Sequence, residues 1–461
     1  MLLFIQTGLW AQSVTIHGTA PFSKGFELTA FRYHDCITYN RQLLATDTVK
    51  TDGKFTLQFD LKETQRIYLR SNHQKAPLYV EPGHSYEIEF PKKDSSRLFN
   101  ADIDQDADLY INTSDSTELN WLILDFNRRY DDFWTKNYQS FVIKRMRIPL
   151  DSFRRAMNLH YQHVQNPYFH DYLDYSIAST EVSTLESQNF MARDYLYNRK
   201  IRYDNYEYML FFNQFFDKYF YQFMLKPAGA PLFTAINDHG SAAEVMNGLK
   251  EAHYLSNDTL RELLILKGLY EIYGNKEFSQ QRILGILDDI SKKSVVAEHR
   301  LIARDIIARY TLLRRGTTAP AFSLPDRNGK TVSLSDFKGK YVYLWFGNFE
   351  NSGCMSDLKV LEELSRKYPI ITVVCILTND SPEEMKKVFK QNPKFNWVFL
   401  QGTGNEALKH NYSIYSTPYY YLIGPEGKLL LSPAPGPCDG VEDIFYDISK
   451  KRELKFKVGE W

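Results

Sequence analysis

Residues 341–367 read Tyr-Val-Tyr-Leu-Trp-Phe-Gly-Asn-Phe-Glu-Asn-Ser-Gly-Cys-Met-Ser-Asp-Leu-Lys-Val-Leu-Glu-Glu-Leu-Ser-Arg-Lys. The opening run, Tyr341–Phe346, is apolar throughout, as a strand covered on both faces requires. Leu358, Leu361 and Leu364 then lie along one side of a helix. Cys354 sits between the two, where the chain passes from strand to helix. Working outward, Phe322-Ser323-Leu324 precedes an Asn328-Gly329 turn, and Ser333–Lys340 leads into the strand. Downstream come a strand Ile370–Leu377, a helix near Pro382–Lys390 and a strand Trp397–Leu400. Thr417-Pro418 opens a strand Tyr419–Ile423, Pro425-Glu426-Gly427 turns, Lys428–Leu431 returns, and a last helix starts near Val441. This βαβαββα order predicts an α/β domain over 318–455, set off by a linker from Gly316 to Pro320.

The rest of the chain has two different textures. From Ser13 to Pro91, short alternating runs such as Val14–His17, Phe26–Phe31, Phe55–Phe59 and Tyr86–Phe90 predict a β-sandwich module, residues 13–95. Asp52-Gly53 and Pro82-Gly83 supply turns. Between 100 and 315 the period becomes helical: Leu119, Leu122, Phe126, Tyr130 and Phe133 fall at three- and four-residue steps, behind an Asp115/Glu118 cap pair. The stretch Tyr206–Phe223 is aromatic almost all round, which favours a core helix over an exposed aromatic groove. The fold class is therefore multi-domain α+β: a β-sandwich, an aromatic-rich helical middle and a C-terminal α/β domain.

Composition narrows function. In 461 residues, 56 Lys+Arg balance 56 Asp+Glu, so the basic footprint of a nucleic-acid binder is missing. Four cysteines are too few for a disulfide-stapled scaffold. His160 and His163 are three apart, but Pro167 interrupts the segment and no Cys or close carboxylate completes a ligand set, so no metal is expected. No cofactor is implied. The opening Met1–Ala11 is like the back half of a secretory signal, with 1–12 as its remnant and cleavage after Ala11. It is too short to cross a bilayer, and no later stretch does better. Export to the periplasm or cell envelope is the expectation.

The C-terminal pattern, from Pro320 to Lys450, resembles the TlpA-like branch of the thioredoxin fold. The resemblance rests on Ala319-Pro320-x-Phe322-x-Leu324, on the lead-in Asn328-Gly329-Lys330-x-Val332-x-Leu334-Ser335-Asp336-Phe337-Lys338-Gly339-Lys340, on Thr417-Pro418 and on Glu426-Gly427-Lys428. It implies thiol–disulfide exchange through two cysteines three positions apart at a helix start, and a cis proline, Pro418, facing them. Counting back from Leu358, Leu361 and Leu364 places that motif on Asn351-Ser352-Gly353-Cys354. Cys354 takes the resolving position, and Asn351 stands where the nucleophile belongs. An amide cannot attack a disulfide. Glu350 replaces the usual Trp before the motif, and its charge disfavours a neighbouring thiolate. Trp345 stands where many relatives carry a buried acid.

The resulting expectation is an exported, redox-degenerate domain that binds an extended peptide or protein at the Pro418 groove, with Asn351, Thr417 and Pro418 as contacts. The alternative is an active thiol enzyme, monothiol or peroxiredoxin-like, using Cys354 alone or with Cys438. The peroxiredoxin resemblance lies in the spacing Asn351-x-x-Cys354, although Gly347 and Asn351 replace the framing Pro and Thr. Cys438 follows the last strand and is expected on the same rim as Cys354; pairing needs their Cα atoms within about 7 Å. Cys375 reads as core, and Cys36 has no evident partner.

Overall fold

The computed structural model describes residues 11–71, 74–92, 105–144, 148–183, 188–197, 199–252, 255, 257–414 and 416–450. The first ten positions of the expected signal remnant lie outside the described residues. The described residues form two compact units, one within 11–70, 76–92 and 107–307, the other within 71–75, 105–106 and 308–450. The β-rich and helical stretches thus share the first unit.

The strands of the β-module are β1 (Gln12–Thr19), β2 (Glu27–Tyr33), β3 (Arg41–Thr48), β4 (Lys54–Leu61), β5 (Gln65–Ser71), β6 (Gln74–Val80), β7 (Ser85–Glu89), β8 (Gln105–Asp106) and β9 (Tyr110–Ile111). They form two sheets, ordered β4-β1-β7-β9 and β3-β2-β5-β6-β8. β1 runs antiparallel to β4 and parallel to β7. Strict alternation makes the sandwich: on β4 the inward residues are Phe55, Leu57, Phe59 and Leu61. They meet Val14, Ile16, Leu28, Ile67, Leu78 and Ile88 in one buried cluster contributed by both sheets.

The helices that follow are α1 (Leu119–Tyr138), α2 (Ile148–His160), α3 (Pro167–Ser183), α4 (Gln188–Met191), α5 (Tyr206–Phe215), α6 (Tyr219–Met224), α7 (Pro231–Thr234), α8 (Ala242–Gly248), α9 (Asp258–Ile272), α10 (Gln280–Lys293) and α11 (Ala297–Thr311). Side chains of Asn205, Ser241, Asn257 and Ser279 cap α5, α8, α9 and α10 by accepting first-turn N–H bonds. At α1 the cap differs from the expected pair. Glu118 alone accepts from the Trp121 N–H, while Asp115 is taken up by the Thr117 N–H in a local turn. The aromatic stretch breaks into α5 and α6 at Lys218, whose φ is 52°. Its rings are core: Tyr208, Phe211, Phe212, Phe216 and Phe220 are all buried. The stretch is therefore mostly core, with Tyr206 and Tyr221 half-buried. His160 sits 3.6 Å from Asp125, and among the described residues no cluster of three His, Cys, Asp or Glu side chains is gathered for a metal.

The second unit holds a hairpin of β10 (Ser323–Pro325) and β11 (Thr331–Ser333), then β12 (Tyr341–Gly347), α12 (Ser352–Lys367), β13 (Ile371–Leu377), α13 (Pro382–Gln391), β14 (Val398–Gln401), α14 (Glu406–Asn411), β15 (Tyr419–Ile423), β16 (Leu429–Leu431) and α15 (Val441–Ser449). The sheet order is β14-β13-β12-β15-β16. β12, β13 and β14 are parallel, and β15 and β16 antiparallel. Both faces of β12 are covered, which explains its unbroken apolar run. Tyr343 and Trp345 pack with α12 and α15, while Val342, Leu344 and Phe346 pack with Phe322, Leu408 and Tyr412 on the other side. This is the fold class expected from the sequence, with α14 as an unforeseen helical turn capped by Asn405.

Candidate functional site

The motif sits where β12 passes into α12. Asn351 is the N-cap of that helix, in extended backbone geometry. Its Oδ1 accepts the Gly353 N–H at 2.8 Å and the Cys354 N–H at 3.3 Å. Its Nδ2 donates to the Thr417 carbonyl at 2.9 Å. Those helix N–H groups are what would stabilise a thiolate at this position; here an amide oxygen occupies them. The Thr417–Pro418 peptide is cis, and a Cβ on Gly353 would stand 3.9 Å from the Pro418 ring. Asn348 adds a second tie: its Oδ1 accepts the Asn351 N–H and its Nδ2 donates to Thr417 Oγ1, both at 2.9 Å. The structure thus brings Asn351, Thr417 and Pro418 together, with Ser352 and Gly353 exposed beside them.

Cys354 points the other way, into the core, with no exposed surface. Beneath it lies a row of side chains set by register. Trp345 on β12 is opposite Cys375 on β13 and Tyr420 on β15. Cys375 is fully buried; burial pushes its thiol pKa up, and its sulfur accepts the Trp397 indole N–H at 3.2 Å. The Trp345 indole N–H donates to Asp357 Oδ2 at 3.2 Å, and the Tyr420 hydroxyl donates to the same oxygen at 2.7 Å. Burial holds the Asp357 carboxyl above its ordinary pKa, helped by Asp439 and opposed by these two hydrogen bonds.

Asp357 escaped the reading of the sequence. Trp345 stands where many relatives of the resembled family carry a buried acid, and here a buried acid comes from the helix instead, one turn after Cys354. Helical spacing was the available signal, because 354, 357, 358 and 361 share one face. A second missed acid is Asp380, beyond the end of β13. It is 2% exposed, accepts the Phe349 N–H at 2.9 Å through Oδ1, and leaves Oδ2 without a hydrogen bond. Burial lifts its pKa to about 7, against the Phe349 N–H and with help from Glu384 and Glu350.

Cys438 is exposed in the loop after β16. That loop is held by the Tyr343 hydroxyl on the Pro435 carbonyl and by the Ala434 N–H on the Tyr420 carbonyl. No disulfide joins Cys438 to Cys354; the one is exposed and the other sealed in the core. Cys36 is buried in the first unit.

The family model described as AhpC/TSA matches residues 315–431. The chain is similar to peroxiredoxin Q of Suaeda salsa, at 34% identity over 20% of this chain and 44% of the relative. It is similar also to thiol-disulfide oxidoreductase ResA of Bacillus thuringiensis, at 31% identity over 25% of this chain and 66% of the relative. It therefore spans less than two thirds of the length of either. Among solved structures, the thioredoxin domain of a thiol-disulfide oxidoreductase from Bacteroides vulgatus is similar at 26% identity, covering 30% of this chain and 96% of that one, with a TM-score of 0.26.

Proposed function

We propose a binding function, without thiol turnover, for this chain, whose C-terminal domain belongs to the thioredoxin-fold, thiol–disulfide oxidoreductase-like family. One observation carries the reading. At the nucleophile position Asn351 caps α12 and ties it to the Thr417 carbonyl, so the place of the attacking thiol is filled by a structural amide. Dithiol exchange through this motif lacks its first step. What remains is a surface: exposed Ser352 and Gly353 at the helix start, beside half-buried Thr417 and Pro418. An extended peptide or protein segment would lie there and pair with the backbone ahead of β15. We assign the protein to the exported fraction, periplasm or envelope, on the apolar opening Met1–Ala11. No helix among the described residues is long and apolar enough to cross a membrane.

Two measurements test this. Wild-type protein and Cys354→Ala should show the same background rate in dithiothreitol-coupled insulin reduction and in peroxide consumption. Any Cys354-dependent turnover sinks the reading. A displayed library of extended peptides should yield binders that Gly353→Leu abolishes, since its side chain would fill the space beside Pro418. Binders indifferent to that substitution place the surface elsewhere.

A second reading has its own support, the AhpC/TSA match and the likeness to a peroxiredoxin. In it the Cys354 thiolate attacks a peroxide oxygen, an alkoxide or hydroxide leaves, and the sulfenic acid condenses with the Cys438 thiol to a disulfide and water. It requires Cys354 to leave the core first. Iodoacetamide labelling of native protein separates the two: the binding reading expects label on Cys438 only.

A further inference from the structure

The first unit holds a cavity, open to solvent, of about 510 Å³, within the ~300–1,000 Å³ of typical small-molecule sites. One wall is formed by β2 and β5, through Arg32 on β2 and Arg66 and Tyr68 on β5; Tyr206 at the start of α5 and Leu301 on α11 also line it. Two guanidinium groups stand on this wall, and Arg32 is the one without a carboxylate partner among the described residues. The Arg32 Nε donates to Gln42 Oε1 at 2.7 Å and its Nη1 to Gln65 Oε1, both neutral acceptors. Among the described residues no carboxylate pairs with Arg32, and burial lowers its pKa from the ordinary value. The Arg66 Nε is buried and makes no hydrogen bond. Its Nη1 forms an ion pair with Glu207 Oε1 at 3.7 Å, too long for a hydrogen bond. Burial raises the Glu207 carboxyl to about 7, against the pull of Arg66.

Both guanidinium side chains are half-buried, where a cation gains from an anion that reaches it, and the orphaned buried Arg66 N–H calls for an acceptor. The adjoining surface is aromatic. The Arg66 guanidinium carbon lies 4.3 Å from the Tyr206 ring centroid and 5.1 Å from that of Tyr68. The acids on the cavity walls do not cancel this: Glu63 and Glu298 are exposed and Asp204 is half-buried. We propose that the cavity binds a small organic carboxylate, its oxygens received by Arg32 and Arg66 and its apolar body set against Tyr68 and Tyr206. This site is independent of the motif at Asn351.

Benzoate is the probe, with benzamide and benzylamine as the neutral and cationic matches, titrated calorimetrically into the full chain. Benzoate should bind at least about tenfold more tightly than either, because charge-assisted bidentate hydrogen bonds distinguish the carboxylate. Crystals soaked in 4-bromobenzoate should show bromine in this cavity. Arg32→Gln should weaken benzoate by about tenfold or more, while Arg32→Lys, retaining charge without the fork, should fall between. Equal binding of benzoate and benzamide overturns the proposal, as do a preference for benzylamine and a cavity without bromine. If Arg32→Gln fails to fold, the ligand contrast and the bromine position decide on wild-type protein alone.

Discussion

Replacing Asn351 by Ala should release the helix start from the cis-proline loop, and the cost can be worked from three hydrogen bonds. The cap to Gly353 and Cys354 is worth about 1 kcal/mol by the usual N-cap scale. The bridge from Nδ2 to the Thr417 carbonyl adds about 1 kcal/mol. Together, ~2 kcal/mol of local stability corresponds to amide exchange about 30-fold faster in a peptide spanning 348–358, read by hydrogen–deuterium exchange mass spectrometry. Asn351→Ser keeps an acceptor for the cap and loses the bridge, so it should sit near half that free energy. Asn351→Asp is the sharper test. It keeps the cap and gains from the helix N-terminus, yet at neutral pH it sets a carboxylate oxygen where an N–H faced the Thr417 carbonyl. Protonation restores a donor, so exchange in this variant should slow again as pH falls below about 4, after correction for intrinsic rates. Unchanged exchange in Asn351→Ala would refute the claim that residue 351 locks the site. Exchange in Asn351→Ser as fast as in Asn351→Ala would refute the share given to the cap.

Three further outcomes are expected. Asp380 has a folded pKa raised to about 7 from an ordinary 3.8, so its contribution is fully present below about 4 and is lost as pH rises through 7. Asp380→Asn keeps the acceptor for the Phe349 N–H, and its stability relative to wild type should grow by on the order of 3 kcal/mol between pH 4 and 8 in urea melts; parallel profiles would contradict the burial of an ionisable carboxyl there. Asp357→Ala strands the Trp345 indole N–H and the Tyr420 hydroxyl and should cost ~2–4 kcal/mol in the same melts, whereas a loss under ~0.5 kcal/mol, within the scatter of surface substitutions, would show that water serves them. Gly268→Ala on α9 would bring a Cβ to 2.2 Å from Phe220 on α6. Overpacking of about 1–3 kcal/mol should outweigh the gain of ~1 kcal/mol in helix propensity, so a raised melting temperature would be the contrary result.

Much of the fold was legible because period and burial coincide. β4 and β12 are read from alternation and from an unbroken apolar run, and both turn out as those patterns imply. β3 was missed because its inner residues are small or only half covered: Arg41–Thr48 has no fully buried position, so no alternation stands out. α14 is six residues long, too short for a period to show. At the site, the motif could be placed by counting back from three leucines, and Asn351, Thr417 and Pro418 do meet. The acids could not be read so easily. Asp357 carries no mark of burial beyond its place on the leucine face, and Asp380 lies between β13 and α13, where no period marks burial. The cavity of the first unit is more hidden still. Arg32 and Arg66 are 34 positions apart in sequence, and only the pairing order of the sheet brings their strands side by side.

The changed residues of the C-terminal site make sense as a set. A fully buried indole at 345 needs an acceptor for its N–H. A carboxylate from α12 provides it, and the strand partner opposite Trp345 is a tyrosine whose hydroxyl reaches the same oxygen. Each member would be worse off alone: Asp357 would be a buried charge with no donors, and the Trp345 N–H an orphan. One layer above, Asn351 satisfies the helix N–H groups that a thiolate would otherwise have used. A site that had merely lost its first cysteine would retain open helix N–H groups and an acid on the strand. Here the helix N–H groups are met by Asn351, and the Trp345 N–H by Asp357. Such consistency across neighbouring positions is what a sequence shows when it specifies a stable structure at that spot. On the proposed binding function, the rim above it, with exposed Ser352 and Gly353 beside Pro418, is where recognition would take place.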